Sequence, residues 1–464
     1  MEYRLERDSL GEVKVPKNKY YGAQTARAAA NFPIGEQKMP LEIIRDYGII
    51  KKAAGLANYE QGLIDQEKKE YIIKACDELI AGKLDEHFPI SLWQTGSGTQ
   101  TNMNVNEVLA NRISEMAGEK LASKKPVHPN DHLNMSQSTN DTFPTVMAVA
   151  VVKETEDFLI EILEELKQEL KNKAEKYKDL AKVGRTHLMD ATPITLGQEF
   201  DSFRAQLDES LEILKDSLKY LKRLPIGGTA VGTGLNSKKG FDNLAVKYIN
   251  LETGKDFKAA ENKSAGISAH NNFINFSGVL KTIAAFMMKL ANDVRWLSSG
   301  PRCGIAEIKI PKNEPGSSIM PGKVNPTQAE ALFQAAAQVM ANDTAVNIGG
   351  SSGNFQLNTA KPLIIYNILQ SIRLIGDSIS SFNKRCLKGI EADQEQIKEY
   401  LERSLMLVTA LNPIIGYDKA AEIAQKAYQE NISLKEAAVQ LDYLSAEEFE
   451  EYIDPAAMTE PNLD

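Results

Sequence analysis

A chain of 464 residues with 42% hydrophobic and 25% charged residues has the composition of a soluble globular protein, long enough for about three domains. Its net charge of -9 argues against the concentrated Lys/Arg face that a nucleic-acid footprint needs, so any anionic substrate must be held by cations placed locally. The three cysteines, Cys76, Cys303 and Cys386, are too few and too far apart for a disulfide framework or a CxxC metal clip.

Along the chain, Met1–Arg7 has acidic residues and no apolar segment, so it is no secretory signal, and a cytoplasmic location is expected. Glu12–Val15 alternates in the manner of a strand. Uninterrupted apolar runs such as Val146–Val152 fall far short of the ~18 residues needed to cross a bilayer, and no membrane partner is expected. From Leu159, the residues Leu163, Leu166, Leu170, Ala174 and Tyr177 recur at steps of three or four between Glu and Lys, which predicts a bundle helix. Asn272–Trp296 is apolar nearly all round, which predicts a helix buried on several sides, inside a bundle or between subunits. A further helix is predicted over Thr327–Met340. From Glu391 onward the pattern changes to short amphipathic helices and an acidic tail. The reading is a mainly helical chain in three parts: an N-terminal domain (1–136), a long helical bundle (137–392) and a small C-terminal domain (393–464).

Five polar, glycine-rich segments lie between these helices: Gln94–Asn106, His128–Asp141, Gly184–Thr195, Gly227–Asn236 and Gly316–Pro326. Thr95–Gln100 and Ser138–Asp141 are rich in hydroxyls and amides, suited to holding carboxylates through neutral hydrogen bonds; helix capping uses the same residues. His128 and His132 are four apart, but Pro129, Asn130 and Asp131 between them read as a turn, and no HExxH or cysteine cluster supports a metal. Gly184 can cap the preceding long helix, leaving His187 in a loop beside Thr186 and Arg185. Imidazole suits proton transfer, although a loop histidine is as readily a solvated bystander. In Gly316–Pro326 two glycines and two prolines forbid a regular helix and shape a loop. Its paired hydroxyls, Lys323 and Asn325 sit just ahead of a helix N-terminus, a combination that binds carboxylates; an ordinary interhelical loop has the same composition. No Walker loop, GxSxG or strand-preceded GxGxxG is present.

Taken together, Trp93–Gln100, His128–Asp131, Gly227–Asn236 and Ser299–Pro326 resemble the fumarase/aspartase superfamily, and the run through Ser299–Gly304 resembles its class II fumarases. The similarity extends from Tyr21–Thr25 to Ser404–Asn412. His187 after Gly184, Arg185 and Thr186 follows the fumarase pattern, where aspartases carry Gln. The resemblance implies an all-α fold with a long central bundle, four copies forming a 20-helix core, and active sites each built from three chains. It implies reversible addition of water to fumarate to give L-malate through an aci-carboxylate, with no cofactor and no metal. Ser317 would be the base. Ser318, Lys323 and Asn325 would bind the carboxylate that gains charge, where a lysine ~4 Å away supplies roughly 4 kcal/mol at an effective dielectric of 20. His187, oriented by Glu330, would handle the proton at the C2 oxygen. Ser97, Gly98, Thr99, Ser138, Thr139, Asn140 and Thr186 would hold the substrate. Lys125, His128, Pro129, Asn130 and Asp131 resemble a second anion site. Met189, the segment Ser264–Asn272 and Gln356 depart from the family's usual residues, and Asn271 and Gln356 remove carboxylates. Rival readings are an aspartate ammonia-lyase or another lyase of the superfamily, or a non-catalytic protein on the same scaffold.

Overall fold

The computed structural model describes residues 2–461. The fold is mainly helical, and among the described residues the named strands form only two-stranded sheets. The alternation at Glu12–Val15 belongs to the strand Gly11–Pro16, paired antiparallel with Tyr3–Asp8 so that Tyr3 opposes Pro16 and Asp8 opposes Gly11.

The apolar stripe from Leu159 lies on the helix Ile160–Lys176, which continues from Thr139–Glu154 through a π-helical turn at Thr155–Leu159. Leu163, Leu166 and Leu170 on that stripe are fully buried, each contributing about 2 kcal/mol of transfer free energy. The apolar segment from Asn272 forms the helix Asn271–Leu297. Within one chain it buries a broad face through Phe273, Phe276, Leu280, Ile283 and Met287, while Thr282, Ala285, Lys289 and Trp296 remain exposed. By length and composition it is apolar enough to cross a membrane, yet more than half of its most apolar window is buried in the chain, as in a core helix.

The helix expected to end at Met340 runs over Thr327–Gly350. Asn342 and Asp343 look like terminators, but both are buried and paired. Asn342 donates to Gln370 Oε1 and Ser371 Oγ at 3.0 Å each, and Asp343 accepts from Ser277 Oγ and Lys281 Nζ at 2.8 and 2.6 Å. The helix stops at Gly349 and Gly350 instead.

The chain divides into two compact units, one of residues 1–161, 211–284 and 336–376, the other of 162–210, 285–335 and 377–464. The boundary falls inside each of five long helical runs: Thr139–Lys176, Leu196–Leu221, Asn271–Leu297, Thr327–Gly350 and Lys361–Arg385. The first unit is organised around the helix Leu41–Glu60, which packs against Gln66–Ile80, Thr99–Met116, Thr139–Glu154 and Phe241–Thr253. The second holds the antiparallel hairpin Ala181–Thr186/Met189–Thr195 and a separate apolar core of Leu407, Leu411, Ile423, Ala427, Ala437 and Phe449.

Candidate active site

In the first unit, two helix N-termini carry the hydroxyl-rich segments. Gly96 lies flat against the backbone of Thr359, whose carbonyl oxygen would be 1.3 Å from any Cβ at that position. Lys361 N–H donates to Gly96 O at 3.0 Å, which ties the loop to the start of the helix Lys361–Arg385. Gly98 precedes the helix Thr99–Met116 with φ +81, a left-handed conformation that glycine adopts freely. Gln94 Oε1 accepts from Thr101 N–H at 3.0 Å, the N–H groups of Thr99 and Gln100 stay open among the described residues, and Ser97 Oγ stands 2.7 Å from Thr99 Oγ1 at the mouth. Open N–H groups flanked by two hydroxyls favour an anion.

At the second N-terminus capping is realised. Ser138 Oγ accepts from Asn140 N–H at 3.2 Å, and Asp141 returns the bond to Ser138 N–H at 2.9 Å. The other oxygen of Asp141 accepts from the N–H groups of Gly227 and Thr229, both at 2.9 Å, so one carboxylate joins this helix to the Gly227–Asn236 segment. Burial pushes Asp141 up to about 6, against the N–H donors that favour its anion. Asn140 donates to Ala230 O at 2.8 Å, and Thr139 Oγ1 accepts from Asn102 Nδ2 at 2.9 Å.

Pro129, Asn130 and Asp131 lie on a turn of the same unit that His128 leads into, and Lys125 precedes it across the bend at Pro126–Val127. His128 Nδ1 accepts from the N–H groups of Asn130 and Asp131 at 3.2 and 3.1 Å, and His132 Nδ1 accepts from His128 N–H at 2.8 Å. Both histidines spend a ring nitrogen on the turn itself. Burial lowers the pKa of His132. Among the described residues no group of three or more His, Cys, Asp or Glu is arranged to hold a metal ion.

In the second unit, Gly184 is not a helix cap. The helix ends at Lys176, and Gly184 sits mid-strand in Ala181–Thr186, where the register shifts between Val183 and Arg185 and a Cβ would meet Thr192 O at 2.5 Å. Thr186 pairs with Met189, so His187 and Leu188 are the two residues of the hairpin turn, with φ +56 and +61. That is the pattern of a type I′ turn, normally built from Asn and Gly. A leucine there costs about 1–2 kcal/mol. The structure thus offers His187 at an exposed tip, with Leu188 70% and Met189 69% exposed beside it. The hairpin is anchored from below by a buried ion cluster: Glu307 accepts from Arg185 at 2.8 and 3.0 Å and faces Lys182 Nζ at 3.1 Å.

The loop Gly316–Pro326 is pinned at its neck, where Gly316 N–H donates to Lys323 O at 3.0 Å and Asn325 Nδ2 to Gly316 O at 2.6 Å. Ser317 Oγ accepts from the N–H groups of Ile319 and Met320 at 3.2 and 3.0 Å. Ser318 and Lys323 are exposed, and Glu330 lies in the first turn of Thr327–Gly350. Among the described residues no hydrogen bond or ion pair joins His187 to Glu330 within one chain.

A family model described as lyase matches residues 11–341, and one described as fumarase C C-terminus matches residues 407–460. The class II fumarate hydratase of Thermosynechococcus vestitus is 56% identical, over 97% of this chain and 96% of its own length. The chain belongs to the class II fumarate hydratase family. The mitochondrial fumarate hydratase of Danio rerio is 54% identical over 99% of this chain and 90% of its own length. The crystal structure of a class II fumarase from Schistosoma mansoni matches with a TM-score of 0.95 at 42% identity, covering 99% of both chains.

Glu307, Lys182, Asp141 and Asn102 support the signature segments through these bonds, roles that the sequence alone does not reveal. Lys182 and Glu307 are charged residues in apolar surroundings, which was the available signal. Nothing in the sequence says that they meet across 125 positions.

Proposed function

We propose that this chain catalyses the reversible anti addition of water to fumarate, giving L-malate. Starting from malate, a base removes the C3 proton, the electron pair spreads into the adjacent carboxylate as an aci-carboxylate, and the C2 hydroxyl then gains a proton and leaves as water while the C2–C3 double bond forms. In this reading Ser317 is the base, and Ser318, Lys323 and Asn325 hold the carboxylate that gains charge. His187 passes the proton at the C2 oxygen, with Glu330 orienting it. Ser97, Gly98, Thr99, Ser138, Thr139, Asn140 and Thr186 hold the substrate.

The observation that supports the base most directly is the pair of N–H groups donating to Ser317 Oγ. Donors aimed at an oxygen favour its anion, and a serine needs that help to act as a base. The pinned neck of the loop supports the roles of Asn325 and Lys323, since it keeps both beside Ser317. Family membership over nearly the whole chain supports the reaction.

The proposed assembly is a homotetramer with a 20-helix core and active sites drawn from three chains. It is supported by apolar residues left exposed in the signature segments and long helices, Leu188, Met189, Ile319, Phe355, Ile348 and Trp296. The substrate-binding hydroxyls of the first unit and the Ser317–His187 set of the second stand in different compact units, and the proposal has neighbouring copies complete each site. The pairing of His187 with Glu330 is then between copies. The domain proposal keeps 1–136, 137–392 and 393–464, supported at the C-terminus by the separate core around Leu411 and Ile423. A cytoplasmic tricarboxylic acid cycle enzyme is the corresponding cellular role.

The test is absorbance in the fumarate band with L-malate as substrate, in EDTA and with no added cofactor, alongside L-aspartate. Malate turnover without ammonia release from aspartate is expected. Ammonia release without malate turnover would transfer the assignment to an ammonia-lyase.

A further inference from the structure

Behind the Ser138–Asn140 helix start lies a buried cation with no anion in contact. Lys51, on the helix Leu41–Glu60, is 1% exposed, and among the described residues no carboxylate pairs with it. Its ammonium donates to Asn134 Oδ1 at 3.2 Å and Gln137 Oε1 at 3.1 Å. Asn134 Oδ1 accepts as well from Nδ2 of Asn102 at 3.1 Å and of Asn106 at 3.3 Å. Asn102 uses the same amide nitrogen to donate to Thr139 Oγ1 at 2.9 Å. Lys51 and Asn102 thus converge as donors on one amide oxygen, and Asn102 also donates to the threonine hydroxyl, whose own hydrogen is left to be given away. Among the described residues the far oxygens of Asn102 and Asn106 are buried without partners.

We propose that Lys51 is the buried counter-charge of the substrate site: it shares the Asn134 oxygen with Asn102, the residue that donates to Thr139, and it takes up a proton as a dicarboxylate binds beside Thr139. This rests on the assignment of Thr139 to substrate binding. Lys51 is a positioning residue, since it acts through Asn134 and Asn102 rather than by contact.

The charges around it set the sign. Burial pushes Lys51 down to about 7. Asp141 faces it from Thr139–Glu154 and Cys76 from Gln66–Ile80, and Tyr47 lies one turn back on its own helix. Burial raises Cys76 and Tyr47 and keeps both neutral, while Asp141, at about 6, is an anion above that pH and favours the ammonium. The helix Thr99–Met116 presents only the amides of Asn102 and Asn106 to the Asn134 oxygen. Above pH 7 the empty site holds Lys51 mostly neutral. An arriving dianion favours the charged form, so binding draws in a proton and weakens as pH rises, by up to about tenfold per pH unit until the bound-state value is passed.

Isothermal titration of the intact protein with succinate, a dicarboxylate that cannot react, in two buffers of different ionisation enthalpy counts the protons directly. At pH 8 uptake approaching one proton per site is expected, and at pH 6 very little. Lys51→Met should lose that uptake and flatten the rise of KM for malate between pH 7 and 9. Lys51→Arg, charged throughout, should hold affinity across the range without uptake. No uptake by the unaltered protein at pH 8 overturns the proposal whether or not any variant folds, and so does uptake that survives in Lys51→Met, which would belong to another group such as His187. Malate turnover with no uptake removes Lys51 alone, whereas absence of both turnover and succinate binding removes the functional reading with it.

Discussion

Arg185 grips Glu307 through both terminal nitrogens, at 3.0 and 2.8 Å, and Glu307 is fully buried. The same carboxylate faces Lys182, itself 2% exposed at its side chain. Glu307 thus joins both cations beneath the strand Ala181–Thr186, and Glu199, 3.2 Å from Lys182 Nζ, completes the cluster. Glu307→Leu should cost about 3 kcal/mol, because it removes the bidentate partner of Arg185 and leaves the buried Lys182 with Glu199 alone. Turnover should fall as the hairpin loses its anchor. Urea unfolding checks the first expectation; a midpoint equal to that of the unaltered protein would show that the cluster is not holding the hairpin.

Gly98 combines a left-handed backbone with a close neighbour: a Cβ there would stand 2.1 Å from the ring of Phe143, which is itself fully buried. Gly98→Ala must therefore push the first turn of Thr99–Met116 away from the core. KM for malate should rise at least about tenfold, roughly the 1.4 kcal/mol of a single lost hydrogen bond to a charged group. An unchanged KM in a folded variant would take Ser97 and Thr99 out of the substrate site.

Lys361 is a further buried cation, donating to Asn358 O at 2.5 Å, and burial pushes it down to about 7. A lysine whose folded value is depressed binds fewer protons than the unfolded chain between pH 7 and its ordinary value of 10.5, so stability rises with pH across that window. The penalty is fully present below pH 7. Lys361→Met should accordingly raise the melting temperature more at pH 6 than at pH 10. Equal shifts at both would mean that Lys361 stays protonated in the fold.

Ser317→Ala should abolish turnover and leave substrate affinity nearly unchanged, because a base contributes only at the transition state. Single-turnover rates and succinate affinity separate the two. Near-normal turnover in a correctly assembled protein would end the assignment.

The long helices were legible because their stripes are dictated locally: Leu163, Leu166 and Leu170 are buried as the three-and-four spacing requires. So was the Gly316–Pro326 loop, whose glycines and prolines leave few alternatives. The hairpin around His187 was not. Its turn carries His and Leu where a type I′ turn would announce itself with Asn and Gly, so the strand pair read as a loop after a capped helix. The end of Thr327–Gly350 was hidden for the opposite reason, since Asn342 and Asp343 find their partners on helices distant in sequence. Long-range partners decide the helix end, and no local pattern encodes them.

His187 and Glu330 provide the sharpest test of the chemistry. Within one chain no hydrogen bond joins them among the described residues, so their pairing belongs to the proposed assembly. If they act as one proton-handling unit, removing either leaves the other without its purpose, and their effects should not multiply. His187→Asn should lower turnover strongly and flatten the limb of the pH–rate profile that belongs to the imidazole. Glu330→Gln should lower it less and move that limb to lower pH, because a neighbouring anion favours the protonated ring. The double variant should be scarcely worse than His187→Asn alone. Dilution to monomers should abolish activity in the unaltered protein, as a pairing between copies requires. Losses that multiply in full, with an unmoved limb in Glu330→Gln, would show two independent residues and leave His187 without the partner assigned to it.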